Sequence, residues 1–131
     1  MYQISRQDFE TYFNKSVANL PQIYVDSLKN VALIVEDEPS PAQLGKLRIR
    51  GDSLLLGLYE GVPLTERQGA SKLLPDKITL FQKPIEQICH SLSQLQNQIG
   101  RTVWHEIAHY YGLNHAKIRQ LESQEKQHPI N

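Results

Sequence analysis

The sequence predicts an α+β fold: a minimal single domain in which a small sheet of about three strands packs against helices. Three observations carry that reading. Short apolar runs rich in β-branched and aromatic residues stand at Val31–Val35, Leu54–Tyr59 and Ile78–Phe81. Apolar residues at helical spacing occupy the two flanks, as Phe9, Tyr12, Phe13, Val17 and Leu20 and as Leu92, Leu95, Ile99, Val103 and Ile107. The 131 residues suit one compact domain, 1–131, of which 125–131 reads as a mobile tail.

Each element has a local cause. Ser5 with Asp8 has the spacing of a helix start, the side chains covering free backbone N–H groups of the first turn. Pro21 suits the first position of a second, short helix ending near Asn30. The unbroken run Val31–Val35 is expected of a strand buried on both faces. An acidic turn, Glu36 to Pro41, leads into a short helix reaching about Leu47. The second strand closes at Gly61 and Pro63, and Thr65 to Pro75 forms a polar loop long enough to wall or cover a site. Pro84 opens a short helix through Cys89. Ser91 and Gln94 then have capping-box spacing before the longest helix, which Gly112 ends by taking the left-handed conformation of a C-terminal cap. A last short helix spans Ala116 to about Gln124.

Composition removes several functions. Lys plus Arg and Asp plus Glu both number 14, so the charge offers no case for nucleic acid or an anionic membrane. No apolar run reaches the length of a membrane span, and the polar start, with Arg6, Asp8 and Glu10, is not that of a signal peptide. Cys89 is the only cysteine, so no intrachain disulfide forms; a reducing, cytoplasmic setting and a monomer are the expectations.

The chemistry concentrates at the end of the long helix. Residues 105–115, His-Glu-Ile-Ala-His-Tyr-Tyr-Gly-Leu-Asn-His, fit H-E-x-x-H-x-x-G-x-x-H at every specified position. Residues four apart lie about 40° apart around a helix and one turn along it, so His105 and His109 project side by side and can reach one ion. Both lie off the Val103 and Ile107 stripe, leaving one helix face to pack and another to face a cleft. Gly112 turns the chain so that His115 can return as a third ligand. Three neutral imidazoles suit zinc and leave a fourth, tetrahedral position for water. Glu106, adjacent to the first ligand, can reach that water as a general base and proton donor without binding metal.

With those residues in place, the sequence resembles the metzincin branch of zinc metallopeptidases. It lacks their methionine turn, since Met1 is the only methionine. It is more similar to a small bacterial family of zincin-like metallopeptidases of about this length. That resemblance rests on Val31 to Pro39, Leu55-Leu56-Gly57-Leu58-Tyr59-Glu60-Gly61-Val62-Pro63-Leu64-Thr65-Glu66-Arg67, Leu74 to Phe81 and the histidine helix. It implies a minimal zincin acting on a peptide or protein substrate, with Leu58 to Arg67 bordering the cleft. Members of that family often carry aspartate where this chain has His115.

Other residues rank lower. Tyr110 or Tyr111 could donate a hydrogen bond to a tetrahedral intermediate, although packing accounts for at least one of them. Arg50-Gly51-Asp52 matches an adhesion tripeptide by coincidence, His90 and His128 read as solvated, and Cys89 as a small buried hydrophobe. Two competing functions are a zinc-binding module without catalysis and a metal-dependent ribonuclease. Glu106 and the absence of basic excess argue against the second.

Overall fold

The computed structural model describes residues 1–26, 28, 30–46, 54–61 and 76–112. Eight elements follow one another among them: α1 (Arg6–Ala18), α2 (Gln22–Asp26), β1 (Val31–Glu36), α3 (Pro41–Lys46), β2 (Gly57–Glu60), β3 (Asp76–Phe81), α4 (Gln82–Gln87) and α5 (Leu92–Tyr110). The predicted α+β class is therefore correct. The expected helix at 116–124, the loop at 65–75, the tripeptide at 50–52, His128 and the tail all lie outside the described residues.

The three strands form one mixed sheet in the order β1-β3-β2, with β1 parallel to β3 and β2 antiparallel to it. The register sets Leu33 against Ile78 and Gly57 against Leu80. Alternation then turns Val31, Leu33, Val35, Ile78, Leu80 and Tyr59 toward one hydrophobic core, which α1 and α5 complete. From the helices come Phe9, Phe13 and Val17 of α1 and Leu95, Ile99, Val103 and Ile107 of α5. Those last four are fully buried, so α5 is the spine of the core. Among the described residues no helix is long and apolar enough to cross a membrane.

Several expectations need correction. The strand buried on both faces is β3, whereas every residue of β1 is only partly buried. Among the described residues β1 lies at a sheet edge, and the order of the strands is not written in either segment. Regular pairing of β2 begins at Gly57 rather than Leu54, although the Leu56 carbonyl still accepts the Phe81 N–H at 2.9 Å. The second helix stops at Asp26 rather than at Asn30. Helix α4 starts two residues before Pro84, which is tolerated because the first-turn N–H groups have no partner within a helix. Leu92 heads the apolar stripe of α5 but remains 36% exposed.

The chain start is tied down over α4. Glu86 accepts the Ile4 N–H at 2.8 Å and the Gln82 side-chain amide at 3.2 Å. Arg6 donates to Gln82 at 2.9 Å, to the Val35 carbonyl at 3.0 Å and to Asp37. These bonds join α1, β1 and α4 at the C-terminal ends of β1 and β3.

Candidate metal centre

Helix α5 is held in register at both ends. At its start the Ser91 hydroxyl accepts the Gln94 N–H at 3.1 Å, as the capping-box spacing predicts. The Gln94 side chain returns to the His90 N–H at 2.8 Å, one residue farther back than that motif requires. At its end the Tyr111 N–H reaches the Ile107 carbonyl at 3.1 Å, and Gly112 adopts φ +74°, the left-handed cap expected of it. Burial of the Leu95–Ile107 stripe then fixes the rotation of the helix and turns its opposite face outward.

On that outward face His105 and His109 converge. Their Nε2 atoms lie 3.1 Å apart, with ring centroids 4.7 Å apart and planes at 59°. Zinc–nitrogen bonds of about 2.0–2.1 Å in a tetrahedral site place two ligand nitrogens about 3.3 Å apart. The pair therefore fits one edge of such a site with only a small opening. Among the described residues no set of three His, Cys, Asp or Glu side chains is grouped as a metal site. His115, the third ligand expected from the sequence, lies outside the described residues.

Glu106 occupies the sheet side of the same turn. It is 7% exposed, and the backbone N–H of Tyr59 on β2 donates to its carboxylate. Burial pushes its carboxyl up to about 7, and the Tyr59 N–H opposes that shift without cancelling it. A group poised near neutrality can both take and return a proton. Its position depends on Gly57, where a Cβ would come within 2.6 Å of Thr102 Cγ2 and 3.2 Å of Glu106 Cγ. Only a residue without a side chain lets α5 approach β2 this closely.

A cleft of about 340 Å³ opens beside these residues, within the range of small-ligand pockets. Leu55, Leu56 and Gly57 line one side, and Gln98, Arg101, Thr102, His105 and Glu106 of α5 line the other. Of the segment expected to border the cleft, Leu58–Gly61 is described, and it supplies the Tyr59 bond to Glu106 rather than the wall itself. The wall residues Leu55 to Gly57, Gln98, Arg101 and Thr102 went unrecognised in the sequence. A signal for the last three was present: 98, 101, 102, 105 and 109 recur at helical spacing, a polar stripe opposite the apolar one.

The two tyrosines between His109 and Gly112 pack. Tyr110 is buried, with its ring edge-to-face against Tyr59 at 5.8 Å. Tyr111 stacks edge-to-face on Tyr24 at 5.2 Å, and its hydroxyl donates to the Ile23 carbonyl at 3.3 Å. His90 is exposed near the chain start, 3.5 Å from the terminal amine, and Cys89 is buried, as expected for each.

Known proteins resemble this chain in family and in fold. The family described as zincin-like metallopeptidase matches residues 28–125. A conserved hypothetical protein from Thermus thermophilus has a similar fold, with a TM-score of 0.56 at 18% identity, over 94% of this chain and 99% of the other. No curated protein matches the chain.

Proposed function

The chain belongs to the zincin-like metallopeptidase family, and on that premise we propose that it is a zinc-dependent peptidase in which His105, His109 and His115 hold the metal and Glu106 is the catalytic base. One observation carries the reading: two imidazole nitrogens 3.1 Å apart stand beside a buried glutamate on the wall of a cleft. Either of those features occurs in ordinary cores. Together, at the motif spacing, they match the needs of metal-assisted hydrolysis.

Zinc bound there would acidify a water molecule and polarise a substrate carbonyl. This chain's own residues supply the proton traffic. The Glu106 carboxylate takes the proton of the attacking water and passes it to the amine nitrogen that leaves when the C–N bond breaks. The Tyr59 N–H keeps that carboxylate oriented throughout, because a backbone donor on a paired strand has little freedom to move. Among the described residues β2 is an edge strand, and its outer backbone groups other than the Tyr59 N–H suit an extended peptide.

The test combines metal analysis with turnover, on protein made without a polyhistidine tag. One zinc per chain is expected, with Glu106→Gln keeping the metal and losing cleavage of a peptide library. A zinc content near zero after repletion, with the fold intact, would overturn the metal assignment. Full turnover by the glutamine variant would overturn the base.

A further inference from the structure

Helix α5 carries a single guanidinium, and its placement has a consequence for substrate choice. Over Leu92–Tyr110 the charged side chains are Arg101 and Glu106, apart from the two histidines. Helical pairing partners of Arg101 would stand at 97, 98, 104 and 105, where the chain has Asn97, Gln98, Trp104 and His105, so no acid neutralises it along the helix. Among the described residues the ion pairs involve Arg6, Lys77 and Lys83, and none involves Arg101. Arg101 is exposed, and it lines the cleft shared by His105 and Glu106.

The surroundings make that cation directional. Thr102 and Gln98 are engaged with each other: the Gln98 amide donates to Thr102 Oγ1 at 3.1 Å, and that hydroxyl donates to the Gln98 carbonyl at 2.8 Å. Opposite stand Leu55 and Leu56, which offer no charge. Arg101, His105 and His109 form one row at intervals of four residues, about 6 Å per step along the helix. An extended peptide advances about 3.3–3.6 Å per residue. A peptide held at the histidine pair and running along this row would bring a group one or two residues from the scissile bond to the guanidinium.

From this arrangement we infer that Arg101 is a specificity residue that selects substrates bearing a carboxylate one or two residues from the scissile bond. The inference rests on the peptidase reading above and deepens it. The carboxylate belongs either to a chain terminus or to an Asp or Glu side chain. The guanidinium fork receives both in the same bidentate way, beside leucine side chains that take the neighbouring apolar residue.

The test reads binding and not turnover. Zinc-loaded Glu106→Gln protein is titrated, by NMR shift perturbation, with three short leucine-containing peptides matched in length. One ends in an amide, one in a free carboxylate, and one carries glutamate before an amide. At least one acidic peptide is expected to bind about three- to tenfold more tightly than the neutral one, between the worth of an exposed ion pair and that of a bidentate desolvated one. Which acidic peptide gains identifies the source of the carboxylate. Adding Arg101→Gln should abolish the preference, Arg101→Lys should keep part of it, and salt should weaken it. Equal binding of all three peptides, or a preference that survives Arg101→Gln, overturns the role of Arg101 and leaves the peptidase reading intact. Failure of every peptide to bind overturns both.

Discussion

Replacing Gly57 with alanine tests the closeness of β2 and α5 on which the site depends. The added methyl would sit 2.6 Å from Thr102 Cγ2, 3.2 Å from Glu106 Cγ and 3.3 Å from the Thr79 carbonyl oxygen. Ordinary carbon–carbon contact needs about 3.5–4.0 Å, so helix and strand must separate by most of an ångström or strain a buried rotamer. Overpacking of that kind costs about 1–3 kcal/mol. Alanine returns about 0.4–1 kcal/mol by restricting the unfolded chain, leaving a net loss of about 1–2 kcal/mol. For 131 residues, an unfolding entropy of about 2.1 cal/mol/K per residue converts this to a fall in Tm of about 4–7 °C. Urea unfolding of the metal-free protein gives the difference directly, with an unchanged slope confirming that only stability has moved. Thr102→Ser removes the nearest methyl while keeping the hydroxyl, so in the Gly57→Ala background it should recover about 1 kcal/mol relative to its effect alone. A Gly57→Ala protein as stable as wild type would refute the reasoning. So would additivity of the two changes within about 0.5 kcal/mol, which would locate the cost elsewhere.

Two further expectations concern the site. In the metal-free protein the Glu106 carboxyl titrates near 7 when folded, against a reference of 4.5. The folded state thus holds a proton that the unfolded state has released, and stability falls as pH rises from about 4.5 through 7, by up to about 3 kcal/mol. Glu106→Gln should flatten that part of the curve; chelator-treated wild type and variant losing stability in parallel would contradict it. For the proposed third ligand, His115→Ala should weaken zinc binding whereas His115→Asp largely preserves it, since imidazole nitrogen and carboxylate oxygen both bind zinc at about 2.0–2.2 Å. Competition with a chromogenic chelator ranks the three proteins, and equal affinity of wild type and alanine variant would remove His115 from the ligand set.

What the sequence by itself determined is whatever depends on near neighbours along the chain. The Ser5 and Ser91 caps, the Leu95–Ile99–Val103–Ile107 stripe, the side-by-side projection of His105 and His109 and the glycine stop at 112 follow from helix geometry, and each stands in the structure as expected. Strand existence was equally legible, because β-branched runs declare themselves within a few residues. Strand order was not. Val31–Val35 and Ile78–Phe81 look alike in sequence, and only pairing between distant segments makes β3 central and, among the described residues, β1 an edge. The electrostatics of Glu106 were likewise invisible, since its burial and its Tyr59 donor come from a strand far earlier in the chain. Gly57 reads as an ordinary glycine until the helix is laid against it. Leu55 and Leu56 read as strand core until the same packing leaves them on a cleft wall. Local spacing sets where a side chain points on its own helix, but the sheet decides what it faces, because the contacts that bury a charge or open a cleft join segments remote in the chain.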